Sequence, residues 1–446
     1  MTETMIGEIN SRRLETPGEA GWQRSVDPQS ADRYLTISVD SHVSEPVNVY
    51  ELGGLDPKYR DRVPHVVRDS EGREFLMVEG WDKPNLVKGK PKDGEELADL
   101  EDPTAEFQMW SDRMEPDDLE RQNASSTRMF DEPTLTRFRQ DMERDGVDGA
   151  VAFANRAILS WATYDDEFAL AMSHAYNVWA WETYGAHSDR FIAAAQLTTA
   201  DVDAALKELD WIASTGFRAI NIPCKPLHGH RGANELSYNH PSFDRLWAAI
   251  EETGLPVCMH AATGRDPRAA SGSGGAIINK AVGFLRGTME PLATFLASGV
   301  FEKHPGLQLA TIEADFGWLP WMLEELDRTY LKHHMWVRPW TTEPPSHYWY
   351  TNCWASFMED NVGVRLADQY KLTDRIMWSN DYPHHEGTWP HSSAAIQRQL
   401  QGMTEAQREN ALGLNAARFF GFNADHLRSL RTSPSAAGTD QAGSTP

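Results

Sequence analysis

The sequence predicts a closed (β/α)8 TIM barrel, the α/β fold in which eight parallel strands alternate with helices. Eight short apolar runs recur along the chain, and most lack strict apolar/polar alternation, as expected of strands buried on both faces. Helical patterns fill the gaps between them. No Gly-x-Gly-x-x-Gly opens the first helix, which weakens the runner-up, a doubly wound open sheet.

The runs lie at 34–40 (YLTISVD), Gly149–Ala154 (GAVAFA), 191–197 (FIAAAQL) and 219–222 (AINI). Four more follow at 256–260 (PVCMH), 308–313 (QLATIE), 350–355 (YTNCWA) and 375–380 (RIMWSN). The first long helix, 165–184, carries Phe168, Met172, Tyr176 and Trp179 at helical spacing. Helical stretches then recur at 201–215, 242–253, 290–298, 319–330 and 359–370, with a closing pair at 392–401 and 405–420. Residues 55–135 break the alternation. They are acidic and rich in Pro and Gly, and "HVVRDSEGREFLMVEGW" within them predicts a hairpin about residues 69–72. An insertion after the first strand would cover the top of the barrel, so it reads as a lid. Residues 1–32 and 430–446 read as disordered on composition, which leaves 33–425 as a single metal-dependent catalytic domain.

The formal net charge is −24, from 42 basic and 66 acidic residues, and this argues against a nucleic-acid partner. No apolar stretch reaches the ~18 residues that would span a bilayer, so no membrane partner is expected. The first twenty residues have no apolar core of a secretory signal. Cys224, Cys258 and Cys353 are far apart and form no CxxC, which fits a reducing, cytoplasmic setting. The 16 tryptophans could be core, or could wall a pocket for a bulky apolar ligand.

Acids and histidines collect where strands end. "SVDSHVSEP" supplies Asp40 and His42 at i and i+2, pointing to one face, and then Glu45. The fifth strand ends in His260, and the sixth in Glu313 followed by Asp315. The eighth ends in "SNDYPHHEGTWP", with Asp381, His384 and His385. In a barrel these ends share one mouth. Singly, each has a plainer account: a core histidine, a turn cap, an ion pair with an arginine. Jointly they are the ligand types that zinc, manganese or iron accept, and a cation would relieve the crowded acids. His174, His187, His304, His333 and His334 lie on or beside surface elements, while His228 and His230 follow the fourth strand and could reach the mouth.

With these residues in view the chain resembles the amidohydrolase superfamily, and within it the amidohydrolase 2 group that contains metal-dependent decarboxylases of aromatic acids. The stretches that carry the resemblance are "ISVDSHVSEP", "KYRDRVPHVV", "GLPVCMHAATG", "ASGVFEKHPGLQLATIEADFGWLPWMLEELD" and "IMWSNDYPHHEGTWPHS". They run from about residue 36 to residue 422. The resemblance implies a barrel with a divalent metal, whose first-strand pair falls on Asp40 and His42, fifth-strand histidine on His260 and eighth-strand aspartate on Asp381. Asp40 stands where many members have His or Glu. "EADFGW", with Glu313, stands where many decarboxylating members place a proton-handling histidine.

Asp40, His42, His260 and Asp381 suffice for one metal with an open position. Glu45, Glu313 and His384 would then orient ligands, or bind a second ion. The resemblance implies that a modified lysine at the end of the fourth strand could bridge two ions, but here Lys225 lies past a proline in the loop, so a bridge would be a carboxylate, Glu45 or Glu313. One enzymatic reading is hydrolysis, decarboxylation or other C–C cleavage of a bulky carboxylated or acyl substrate, with Asp381, His384 or Glu313 moving the proton. Another is a nonheme di-iron oxygenase that hydroxylates a bulky apolar substrate. A third, non-enzymatic reading is a ligand-binding barrel without catalysis. "GRDPRAASGSGGAIINK" follows His260, and its Arg265 and Arg268 could meet a substrate carboxylate or remain solvated. Trp318 and Trp321 could line the mouth or pack the barrel wall. The partner expected is a small molecule, and such barrels often pair as homodimers.

Overall fold

A computed structural model of the chain describes residues 20–43, 45–88, 134–227, 236–265, 275–338 and 340–431, with the single positions 92 and 124. The strands are β1 (Ile37–Val43), β2 (His65–Arg68), β3 (Glu74–Met77), β4 (Asn85–Lys88), β5 (Gly149–Ala154) and β6 (Phe191–Ala193). They continue as β7 (Ala195–Gln196), β8 (Ile220–Ile222), β9 (Val257–His260), β10 (Leu309–Ile312), β11 (Cys353–Phe357) and β12 (Ile376–Trp378).

Parallel ladders run β1-β5-β6 and β12-β11-β10-β9-β8-β7. The two halves are one barrel. β6 and β7 are consecutive pieces of the third strand, interrupted at Ala194, whose N–H still donates to Ala152 O at 2.9 Å. At the other seam the Asp381 N–H donates to Asp40 O at 3.0 Å, and Ser41 bridges Tyr382 in parallel. Helices lie between successive strands, among them Asp166–Tyr184, Val202–Thr215, Asp244–Thr253, Phe284–Ala297 and Leu319–Val337. Their starts follow from sequence: Asp165 and Asp201 accept from Phe168 N–H at 3.1 Å and Ala204 N–H at 2.8 Å, satisfying otherwise orphaned donors.

Two apolar layers result. The barrel interior holds Ile37, Val39, Val151, Phe153, Cys258, Ala310, Ile312 and Met377, and Phe419, Phe420 and Leu427 join the same cluster. The outer layer packs strands against helices through residues such as Phe168, Met172, Leu246 and Trp349.

Several boundaries move. β1 runs on to Val43, three residues past the expected end, so Asp40 and His42 lie within the strand. Residues 350–352 finish a helix, Pro345–Asn352, before β11 begins at Cys353. The expected hairpin forms as β2 and β3, with β4 added, and Gly72 turns it at φ 81°. Residues 89–91, 93–123 and 125–133 of the insertion lie outside the described residues, as do 1–19 and 432–446. The expected disorder of 1–32 is corrected for residues 20–32. Trp22 meets the Tyr34 ring at 5.7 Å, under the Arg408 guanidinium at 4.1 Å. At the other end Leu427 is buried and Arg431 pairs with Asp148, so the packed chain passes residue 425.

Candidate metal centre

A bulge aims the first strand. From Ser38 to Ser41, β1 spends three residues where β5 spends two, Ala150 to Ala152. Ile37 and Val39 face the interior below it. The extra residue shifts the alternation, so Asp40 and His42 take over the inward positions at the mouth. β9 needs no shift, because Cys258 and His260 alternate inward together. β12 continues from Met377 through Ser379 to Asp381. Glu313 and Asp381 stand just past their strands with left-handed backbones, φ 55° and 50°. Non-glycine residues adopt that conformation at a cost of about 1 kcal/mol or more, and such strain concentrates at functional sites.

The side chains converge. His42 Nε2 lies 3.2 Å from Asp381 Oδ1 and 3.6 Å from Asp40 Oδ1. His260 Nε2 lies 3.2 Å from Asp40 Oδ1, and His384 Nδ1 lies 3.0 Å from Asp381 Oδ1. His260 Nδ1 is 3.6 Å from Glu313 Oε2. The other nitrogens are held by the backbone: His42 Nδ1 is 3.3 Å from Ala154 O, and His260 Nδ1 is 2.8 Å from Ala261 O. A proton on each Nδ1 donates to those carbonyls and turns both Nε2 atoms toward the carboxylates. Beneath the cluster Asn380 accepts from Ser38 Oγ at 2.8 Å and donates to Asp145 at 3.0 Å, fixing the seam between β1 and β12.

Among the protein groups alone, the histidines divide. Burial, and then the charge of His384, push His42 down to about 3. Burial also opposes charge on His260, but Asp40 overcomes it and raises that histidine to about 9. His384 is raised to about 10, since Asp381 outweighs its burial. The buried site thus demands positive charge.

The donors fit a cation. Asp40 Oδ2, His42 Nε2 and Asp381 Oδ2 are buried and make no hydrogen bond among the described residues. Such atoms are costly unless something binds them. Among the described residues three groups could each hold an ion, with donor atoms all within 4.8 Å of one another: Asp40, His42 and His260; His42, Asp381 and His384; Glu313, Asp381 and Glu386. Glu386 was not singled out from sequence, although it lies two residues past His384 in the same stretch. Neither was Lys280, whose ammonium lies 2.8 Å from Glu313 and 2.6 Å from Glu386.

Not every expected residue joins. Glu45 is corrected: it is buried in the loop after β1, but both its oxygens are taken. Oε1 accepts from Asn155 N–H at 2.9 Å and Ala157 N–H at 3.1 Å, and Oε2 from Arg156 N–H at 2.8 Å. It belongs to none of the three ligand groups. Asp315 accepts from Met358 N–H at 3.3 Å and is likewise outside them. Arg265 is not a solvated charge. It is buried, 3.2 Å from Asp166 Oδ1 and over the Tyr164 ring at 4.5 Å. Trp318 packs against the core and donates to Ala314 O at 2.8 Å. Trp321 is corrected as well: it is 61 % exposed and shares a surface groove with Glu324, Arg328 and Leu331 of its own helix. Lys225 is exposed beyond β8. Arg268, His228 and His230 lie outside the described residues.

His174 has a structural role, bonded to Glu208 at 2.9 Å. That bond raises its pKa above the ordinary 6.5, against the opposing effect of burial. A raised folded-state value means the pair's stabilisation is full below the unfolded value of about 6.5, and is lost as pH rises through the folded value. His174→Gln should therefore melt below wild type at pH 6, by no more than about 1 kcal/mol at this half-exposed site, and match it at pH 9. Equal deficits at both pH values in thermal melts would refute the pairing.

Residues 114–422 match the family model described as Amidohydrolase. A γ-resorcylate decarboxylase of Rhizobium radiobacter is 23% identical over 287 residues, spanning 60% of this chain and 84% of that protein. Among solved structures, an amidohydrolase of Mycobacterium avium subsp. paratuberculosis superposes with a TM-score of 0.63 at 21% identity, covering 87% of this chain and 98% of its own. A 5-carboxyvanillate decarboxylase of Novosphingobium aromaticivorans, complexed with manganese and 4-hydroxy-3-methoxy-5-nitrobenzoic acid, superposes at 0.57 with 17% identity. It is covered over 91% of this chain and 100% of its own. At these identities the structural likeness shows the barrel fold.

Proposed function

Because the chain belongs to the amidohydrolase family, we propose that it is a metal-dependent lyase that decarboxylates a bulky carboxylated small molecule. The observation that carries this reading is the ring of buried donor atoms without hydrogen bonds on Asp40, His42 and Asp381, with His260 beside them. Asp40, His42, His260 and Asp381 would hold a divalent zinc, manganese or iron. When bound, such an ion supplies Lewis acidity, polarising a substrate oxygen and stabilising charge that develops next to it.

The protein groups supply the rest. Loss of CO2 breaks a C–C bond and leaves its electron pair on carbon, which must take up a proton. His384, whose Nδ1 lies 3.0 Å from Asp381 Oδ1 at the rim of the cluster, is the group placed to deliver it. It also retains 18% of its side-chain exposure, so unlike the buried Asp381 it can face an incoming molecule. Asp381 orients it through the 3.0 Å contact. The relative named as a γ-resorcylate decarboxylase and the manganese-bound decarboxylase support this choice of reaction and metal.

One observation favours a second reading. Glu313, Asp381 and Glu386 form a further ligand group beside the histidines. Two irons there would supply O2 chemistry, and the enzyme would hydroxylate an apolar substrate.

We extend the proposal to the setting of the site. The β2–β4 sheet is read as part of a lid, supported by Arg62, which bridges Glu79 at 2.6 Å and Asp165 at 2.8 Å. Residues 33–425 are read as one catalytic unit. A homodimer is supported by Trp321, Leu331, Met335 and Trp336, which are 61–86 % exposed along the helix Leu319–Val337. Acidic Glu324 and Glu325 precede Arg328 and Lys332 there, so a twofold antiparallel pairing would oppose unlike charges. Buried free cysteines at 224, 258 and 353 support a reducing, cytoplasmic location. Among the described residues no helix is long and apolar enough to cross a membrane.

Native mass spectrometry of freshly purified protein reads metals per chain and chains per particle together. One divalent ion per chain is expected, in a dimer, with CO2 release from a hydroxybenzoate panel that chelation stops and Mn2+ restores. Two irons with O2 uptake would turn the assignment to the second reading. A metal-free chain would refute both.

A further inference from the structure

Lys280 places a positive charge inside one of the three ligand groups. Its Nζ lies 2.6 Å from Glu386 Oε1 and 2.8 Å from Glu313 Oε1. Those carboxylates form, with Asp381, the group whose oxygens all lie within 4.8 Å of one another. Glu313 keeps only 6% of its side-chain exposure, and Asp381 none. Buried acids this close must share a cation or take up protons. The residue comes from a single π-helical turn, Asn279–Gly283, set between the helices Gly275–Ile278 and Phe284–Ala297. Such turns are rare and frequently mark functional sites. Of the Lys280 side chain, 43% is open to solvent.

The other two groups are built differently. Asp40, His42 and His260, and His42, Asp381 and His384, contain imidazoles, and among the described residues no lysine is bonded to them. Asp40 Oδ2 and Asp381 Oδ2 remain without hydrogen bonds while Glu313 and Glu386 are both bonded to the ammonium. The protein thus leaves one ion position open to a metal and covers the neighbouring one with its own cation.

We propose that Lys280 is a tethered counter-cation that sets the nuclearity of the centre: seated on Glu313 and Glu386, its ammonium denies them to a second metal ion. A divalent ion between the same oxygens would stand within a few ångströms of the ammonium, and like charges at that distance repel strongly. The inference rests on the reading of Asp40, His42, His260 and Asp381 as the resident metal site.

The test uses Mn2+ alone, on the full chain. Equilibrium dialysis against Mn2+, followed by plasma mass spectrometry and electron paramagnetic resonance, counts ions and detects a coupled pair. Wild type should saturate at one manganese per chain. Lys280→Met, which keeps the stem and removes the charge, should rise to two and show a coupled-pair spectrum. Lys280→Arg, which keeps the charge, should stay at one. Two ions in wild type, one in Lys280→Met, or two in Lys280→Arg would each overturn the role given to the lysine. No manganese in any of the three would overturn the metal-centre reading and the inference with it. Circular dichroism melts check that the variants remain folded, as expected for a half-exposed side chain.

Discussion

Replacing His260 with alanine is expected to empty the centre and abolish turnover. The imidazole meets Asp40 Oδ1 at 3.2 Å through Nε2, while Nδ1 is held 2.8 Å from Ala261 O. Its ring also packs against His42 at 5.0 Å and Phe153 at 5.0 Å. Truncation therefore removes a donor, a partner of a buried carboxylate and part of the wall that orients His42. Loss of a group that merely orients a metal ligand costs about 10–100-fold in affinity or activity, so loss of a ligand should exceed about 100-fold. Metal content after dialysis should fall to background, and CO2 release with it. Asp40 would be left buried beside a void, so the variant should also melt lower than wild type. Wild-type metal content and turnover in His260→Ala would refute the assignment of the centre.

The candidate ligands that a strand's two-residue period can place are legible in the sequence. His260 ends β9, and Asp40 and His42 share a face of β1, because alternation alone puts them there. The direction of that face was not legible. It depends on the bulge between Ser38 and Ser41, which is a property of the pairing with β5 rather than of either strand. Glu313 and Asp381 are inward only because their backbones turn left-handed one and three residues past β10 and β12. Aspartate is among the residues enriched in that conformation, but glutamate is not, so nothing local announces the turn at Glu313. Lys280 and Glu386 were missed for a similar reason. They come from a π-helical turn and from the loop after β12, 106 residues apart, and only the closed barrel brings them together. Trp321 shows the reverse error. An aromatic near a strand end suggested the mouth, but its helix turns that face outward. Glu45 follows an acid and a histidine closely in sequence, yet its carboxylate is bonded to the amides of residues 155–157.

Glu45 is the second place where a large effect is expected, and there it falls on stability rather than on metal. Its carboxylate closes three backbone amides at the end of β5, Asn155, Arg156 and Ala157, at 2.8–3.1 Å. Burial pushes its pKa up, while the three amides pull the other way. Glu45→Ala would leave those donors unmatched in a loop where Ala157 is buried, Asn155 half-buried and Arg156 exposed, at about 1–3 kcal/mol for each group that water cannot reach. A loss of about 3–5 kcal/mol is expected, read as a fall of several degrees in melting temperature. Glu45→Gln keeps one oxygen, enough for Asn155 and Ala157 if it takes the Oε1 position, but turns an amine toward the Arg156 N–H. It should lose less, about 1–3 kcal/mol. Folded Glu45→Gln should still carry the wild-type complement of metal, since neither oxygen of Glu45 faces the cluster. Should that variant melt like wild type yet lose its metal, Glu45 would have to be a ligand after all, and the amides of residues 155–157 would have found other partners.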